Sequence, residues 1–155
     1  MYRYLSLILT ITTVLFAQDH NHDQMQKRGE AGMGFDQERT THHFLLTKNG
    51  GIIQVNANSA ADKESVAQIR MHLQHIRHAF ESGDFNIPMF VHDQTPPGVP
   101  TMTRLKDRIR YKYEPMDNGG RVVISSGNSE VVTALHDFLK FQIREHRTGD
   151  PLELK

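Results

Sequence analysis

Between Thr40 and Asp150 the apolar residues switch twice from strand-like to helix-like spacing. Thr41-His42-His43-Phe44-Leu45-Leu46-Thr47 and Ile52-Ile53-Gln54-Val55-Asn56 are β-rich runs on either side of Lys48-Asn49-Gly50-Gly51. Asn-Gly supplies the positive φ angles that a tight hairpin turn demands, so the pair predicts a hairpin. From Ser59-Ala60-Ala61-Asp62 the period changes: Val66, Ile69, Leu73, Ile76 and Phe80 recur at helical spacing until Ser82-Gly83-Asp84 stops them. The plan then recurs. Arg108-Ile109-Arg110-Tyr111-Lys112-Tyr113 alternates basic and apolar residues as a half-buried strand does, Asp117-Asn118-Gly119-Gly120 turns the chain, and Arg121-Val122-Val123-Ile124-Ser125 returns it. Asn128 or Ser129 caps a second helix carrying Val131, Leu135, Phe138 and Leu139, which runs to Thr148-Gly149-Asp150. Between the two units, Phe85 to Pro100 holds four prolines and excludes a long regular element.

This pattern predicts an α+β fold of duplicated ββα units, with a four-stranded antiparallel sheet and two helices on one face. Strand order stays open. The expected organisation is a signal peptide over 1–17, a flexible polar lead over 18–39, and one domain over 40–151. Within that domain, repeat 1 covers 40–84, a connector 85–107 and repeat 2 108–150. Alternation turns Phe44, Leu46, Ile53, Val55, Ile109, Tyr111, Tyr113, Val122 and Ile124 toward the helices. The opposite face carries His43, Leu45, Ile52, Gln54, Arg108, Arg110, Lys112, Arg121 and Val123, a mixture of aliphatic and basic residues. Such a face is either solvated with stray aliphatics or the surface of a homodimer or of an anionic partner.

The amino terminus changes the expected compartment. Arg3 is a short basic start, Leu5 to Phe16 an apolar stretch, and Ala17 a small residue at the cleavage point of a secretory signal. About a dozen apolar residues fall short of the roughly 20 that span a bilayer. Export to the periplasm or the exterior is therefore expected, with no membrane span once the signal is removed. The 155 residues contain no cysteine, so stability must come from a core rather than disulfides. Lys plus Arg and Asp plus Glu are 18 each, leaving no global field to attract nucleic acid.

Ten histidines and seven methionines without cysteine leave imidazole and thioether as the soft and borderline metal ligands. Cleavage after Ala17 would expose Gln18-Asp19-His20, whose amine, amides and imidazole suit a square-planar Cu(II) or Ni(II) site. His42 and His43 are neighbours on a strand and point to opposite faces, so the pair cannot chelate one ion without a bulge. On the first helix His72 flanks the buried stripe, His75 lies further round and His78 points to solvent, with Arg70 and Arg77 opposing a cation there. The second helix places Gln142 and His146 on its apolar stripe, where each needs a partner. His146 reads either as a helix cap or as one wall of a polar site with His92, His136 or His42. Met33, Met89, Met102 and Met116 are scattered and do not choose a metal. No nucleophile elbow, phosphate-cradling glycine loop, His-Glu-x-x-His or cysteine nucleophile is present.

The strings Met33-Gly34-Phe35-Asp36-Gln37, Thr40-Thr41-His42-His43-Phe44 and His136 to Asp150 (HDFLKFQIREHRTGD) resemble those of a family of small exported bacterial proteins of unknown function. The resemblance spans about Met33 to Pro151. Its motif segments contain His42, His43, His136 and His146, with His92 in the matching connector, and these five are the candidate metal ligands. Relatives in that family sometimes bear an aspartate carbamoyltransferase label; this chain is too short for such an enzyme and lacks its Ser-Thr-Arg-Thr phosphate signature. The first expectation is an exported binding protein with a histidine-lined site for a transition metal, copper ahead of zinc. The second is a metal-free interaction module that dimerises through the open sheet face. A small hydrolase or lyase using His92-Asp93 or His146 as base ranks third.

Overall fold

The computed structural model describes residues 23–154, so the expected signal and the Gln18-Asp19-His20 terminus lie outside the described residues. The described residues open in a helix, α1, over 23–33. This corrects the expectation of a flexible lead. Polar, aperiodic sequence concealed it because tertiary contacts hold it: Met25 is buried, and the Arg28 Nε donates to the Val91 carbonyl at 2.9 Å. Gly32 also lets α1 approach Val91 and Phe90, a Cβ there meeting the valine methyl at 3.3 Å.

Two hairpins follow, β1 (Thr40–Thr47) with β2 (Gly50–Ala57), and β3 (Arg110–Met116) with β4 (Gly119–Ser125). They join into one antiparallel sheet of order β1-β2-β4-β3. The turns are Lys48-Asn49 and Asp117-Asn118, since Thr47 pairs with Gly50 and Met116 with Gly119. The glycines thus begin the inner strands instead of occupying the turn centres. Gly50 has a positive φ of +152°, and both glycines permit close approach: a Cβ on Gly50 would lie 2.2 Å from the Ile124 carbonyl oxygen, and one on Gly119 2.1 Å from that of Val55.

Helix α2 (Lys63–Ser82) starts where the Asp62 carboxylate accepts the Ser65 N–H at 3.1 Å, and stops at Gly83, whose φ of +84° is left-handed. The proline-rich connector makes two short helices, α3 (Asn86–His92) and α4 (Val99–Arg104). Pro88 and Pro100 fall in their first turns, where a missing N–H costs no helical bond. A 3₁₀ turn over Lys106–Arg108 takes Arg108 out of the strand in which it was expected. Helix α5 (Ser129–Glu145) is capped by Asn128, which accepts the Val131 N–H at 3.1 Å. It ends three residues before the expected Thr148, with His146 as its C-cap, and Arg147 and Gly149 at φ +50° and +75° redirect the chain.

Alternation is realised as read. Phe44, Ile53, Val55, Ile109, Tyr111, Val122 and Ile124 join the stripes of α2 and α5 in one core cluster, and Leu46 and Tyr113 pack at its margin. Within that core α2 lies chiefly against β4 and β3, whereas α5 lies against β1 and β2. Each helix therefore covers mainly the other unit's hairpin. Beyond α5, the Asp150 carboxylate returns to the sheet and accepts the Phe44 N–H at 2.9 Å. No helix among the described residues is long and apolar enough to cross a membrane.

Candidate functional site

Four elements bring imidazoles to a chamber of about 60 Å³ between the sheet and the helices. His42 comes from β1, His72 from α2, His92 from the end of α3 and His146 from the C-cap of α5. The His42 and His146 rings lie 5.5 Å apart and nearly parallel, at 14°, and His92 meets His146 edge-on at 5.1 Å. Phe35, just beyond α1, links His42 to His72, with ring separations of 5.7 Å and 5.4 Å. Most of the remaining lining is aliphatic and aromatic, including Phe44, Leu73, Phe80, Val91 and Phe138.

Of the five candidate ligands, the structure gathers three: His42, His92 and His146. The other two are elsewhere. His43 points to the opposite sheet face, where its Nδ1 lies 2.9 Å from Asp150 Oδ1. His136 reaches from α5 to β1, its Nε2–H donating to the Thr47 carbonyl at 2.9 Å. His72 takes a place that the resemblance had assigned to others. Its signal was present in the sequence, since it flanks the apolar stripe of α2, and it is buried in the structure. Phe35 gave no periodic signal, because it precedes the first strand and belongs to no repeat.

Burial sets the protonation states. It holds the His42 pKa down to about 4, with the neighbouring His43 adding to the effect. His72 is held down to about 3, by burial first and then by His42 and His75. Burial also lowers His92, and Arg28 does so weakly, while the Gln142 hydrogen bond and Glu145 work against them. These three rings are accordingly neutral near pH 7, each with one N–H donor and one nitrogen lone pair.

Hydrogen bonding inside the chamber is incomplete. His92 Nε2 and Gln142 Oε1 are 2.9 Å apart, and both side chains are buried, at 6% and 3% exposure. His92 Nδ1, Gln142 Nε2 and His42 Nε2 have no hydrogen-bond partner among the described residues. The nearest carboxylate oxygen to His92 Nδ1, from Glu145, is at 3.9 Å, beyond hydrogen-bond reach. Leaving such atoms unpaired costs about 1–3 kcal/mol each. Among the described residues, no three His, Cys, Asp or Glu side chains are grouped so as to hold a metal ion.

On the other side of the His42–His146 pair lies a second, polar hollow of about 250 Å³, lined by Gln26, Gln37, Thr40, Thr41 and Thr148 among others. His42 and His146 line both spaces. Comparison with protein-family models, with curated proteins and with solved structures finds no match.

Proposed function

We propose that the protein is an exported binding protein whose ligand occupies the chamber ringed by His42, His72, His92 and His146. One observation carries this reading: three polar nitrogens, on His42, His92 and Gln142, are buried without partners at an apolar chamber. A bound molecule that satisfies them recovers the free energy their isolation costs. The expected transition metal, copper ahead of zinc, is a narrower version of the proposal. Its support is that His42, His72 and His92 are kept neutral, so that no proton competes for their lone pairs near pH 7.

Calorimetric titration of tag-free protein with Cu(I), Zn(II) and butan-1-ol tests both versions. Binding that disappears in a His42→Phe/His92→Phe variant supports the chamber, and the titrant that binds chooses between them. Binding of none of the three, or binding unchanged in that variant, overturns the proposal. A second reading rests on the open sheet face. Leu45, Ile52 and Val123 are register neighbours across three strands and only half-buried, a band suited to a second copy of the chain. A mass that stays monomeric at all concentrations removes it.

A further inference from the structure

The sheet has two outer strands, β1 and β3, and they end differently. On β1 the Asp150 carboxylate takes up the outward Phe44 N–H at 2.9 Å. On β3 the two-residue turn makes Met116 and Gly119 a hydrogen-bonded pair, so Glu114, Lys112 and Arg110 bond to β4 in turn. Tyr111, Tyr113 and Pro115 therefore direct their main-chain groups away from the sheet. Neither tyrosine N–H nor any of the three carbonyls has a hydrogen-bond partner among the described residues. Arg70, on α2, donates to the Met116 and Gly119 carbonyls and leaves this row open. On the open sheet face beside it, Lys112 meets Glu114 at 2.9 Å, and Arg121 meets Glu114 at 2.7 Å.

We propose that β3 pairs antiparallel with β3 of a second copy of the chain, about a dyad at Tyr113, so that the two sheets become one. Charge selects the register. With Tyr113 opposite its own twin, Lys112 faces the partner's Glu114, and Glu114 faces the partner's Lys112. These are non-hydrogen-bonded positions, where the Cα atoms stand about 4.5 Å apart and side chains come closest. Sliding by two residues in one direction sets Lys112 against Lys112, and in the other Glu114 against Glu114. Like charges directly opposite are destabilising, so both slips are disfavoured. In the favoured register Tyr113 exchanges both main-chain bonds with its twin, and each Tyr111 N–H donates to the partner's Pro115 carbonyl. Pro115 has no N–H to return, so the Tyr111 carbonyl gains no bond. That missing donor, with the edge lysine, makes β3 a poor template for unrelated strands. Pairing at this edge leaves the band of Leu45, Ile52 and Val123 uncovered, so it is a different surface from the open face.

The test follows the full chain by sedimentation equilibrium and by amide hydrogen exchange over a series of concentrations. A dimer is expected, with the Tyr111 and Tyr113 N–H groups exchanging more slowly as it forms. Packing through the open sheet faces would leave those two amides unprotected. Lys112→Glu and Glu114→Lys should each weaken self-association about tenfold, because both opposed pairs become pairs of like charge. An equimolar mixture of the two variants should recover the dimer, since every opposed pair is then of unlike charge. A mass that stays monomeric overturns the proposal. So does a dimer whose Tyr113 amide still exchanges freely, or a mixture that associates no more tightly than either variant alone. Should a variant not fold, the wild-type mass and the Tyr113 amide decide alone. None of these outcomes bears on ligand binding in the chamber, which its own titration decides.

Discussion

His42 and His72 make the stability of the fold depend on pH. In the unfolded chain both take up protons near pH 6.5, whereas in the folded chain His42 does so only near 4 and His72 near 3. Between about 6.5 and 4 the unfolded state therefore binds more protons, and stability falls as pH falls. The limiting slope is about 1.4 kcal/mol per pH unit for each histidine. Below 4 only the His72 share remains, and it ends near 3. His92 is shifted in the same direction and adds to the slope. Urea unfolding at intervals from pH 7 to 4 should show the decline, and His72→Leu should make it shallower; a flat profile in the wild type would contradict the neutral assignment. His136 contributes through a hydrogen bond. His136→Ala removes the bond to Thr47 and should cost about 1 kcal/mol without altering ligand binding in the chamber, as separate melting and titration experiments would show. These residues also mark how far the site was legible. Gln142 stood out as a polar group on an apolar stripe, and His146 with it. Which imidazoles meet depends instead on contacts between distant segments. Periodicity gives the direction of a side chain on its own element and says nothing of what lies opposite.

Elements were legible where local chemistry dominates and misread where tertiary contacts do. Asp62, Asn128 and Gly83 end their helices by short-range bonds or by a left-handed φ, and all three follow from the order of residues. Asn128→Ala should cost about 1 kcal/mol, measured by chemical denaturation. Gly50 keeps the positive φ expected of it, +152°, while the close packing that Gly50 and Gly119 allow between β2 and β4 required knowing that the two strands are neighbours. Helix α1 was missed because its apolar residues are few and its anchoring partners lie on α3. Gly98 is the most demanding position of this kind. Its φ is +83°, and a Cβ would stand 2.0 Å from the Ala134 carbonyl oxygen, so α4 can seat on α5 only through a glycine. Gly98→Ala is expected to destabilise by about 3 kcal/mol or more, combining left-handed strain with overpacking. A melting temperature within a degree of wild type would show that the contact yields.

Across the whole molecule the units exchange helices: α2 lies chiefly on the second hairpin and α5 on the first. Fragments 23–84 and 85–154 should each be unfolded alone by far-ultraviolet circular dichroism and regain helix and sheet when mixed. Independent folding of either fragment would contradict the exchange. The repeat itself was legible from two turns of the same composition, but the exchange was not, since it depends on strand order. That exchange has a consequence for a single unit. A solitary ββα unit, with its helix overhanging nothing, finds closure only by trading that helix with an identical twin, around a dyad where β2 now meets β4. The present polypeptide supplies both units in one chain. His92 lies on a connector that neither half repeats, so the chamber it lines departs from the two-fold relation of the hairpins.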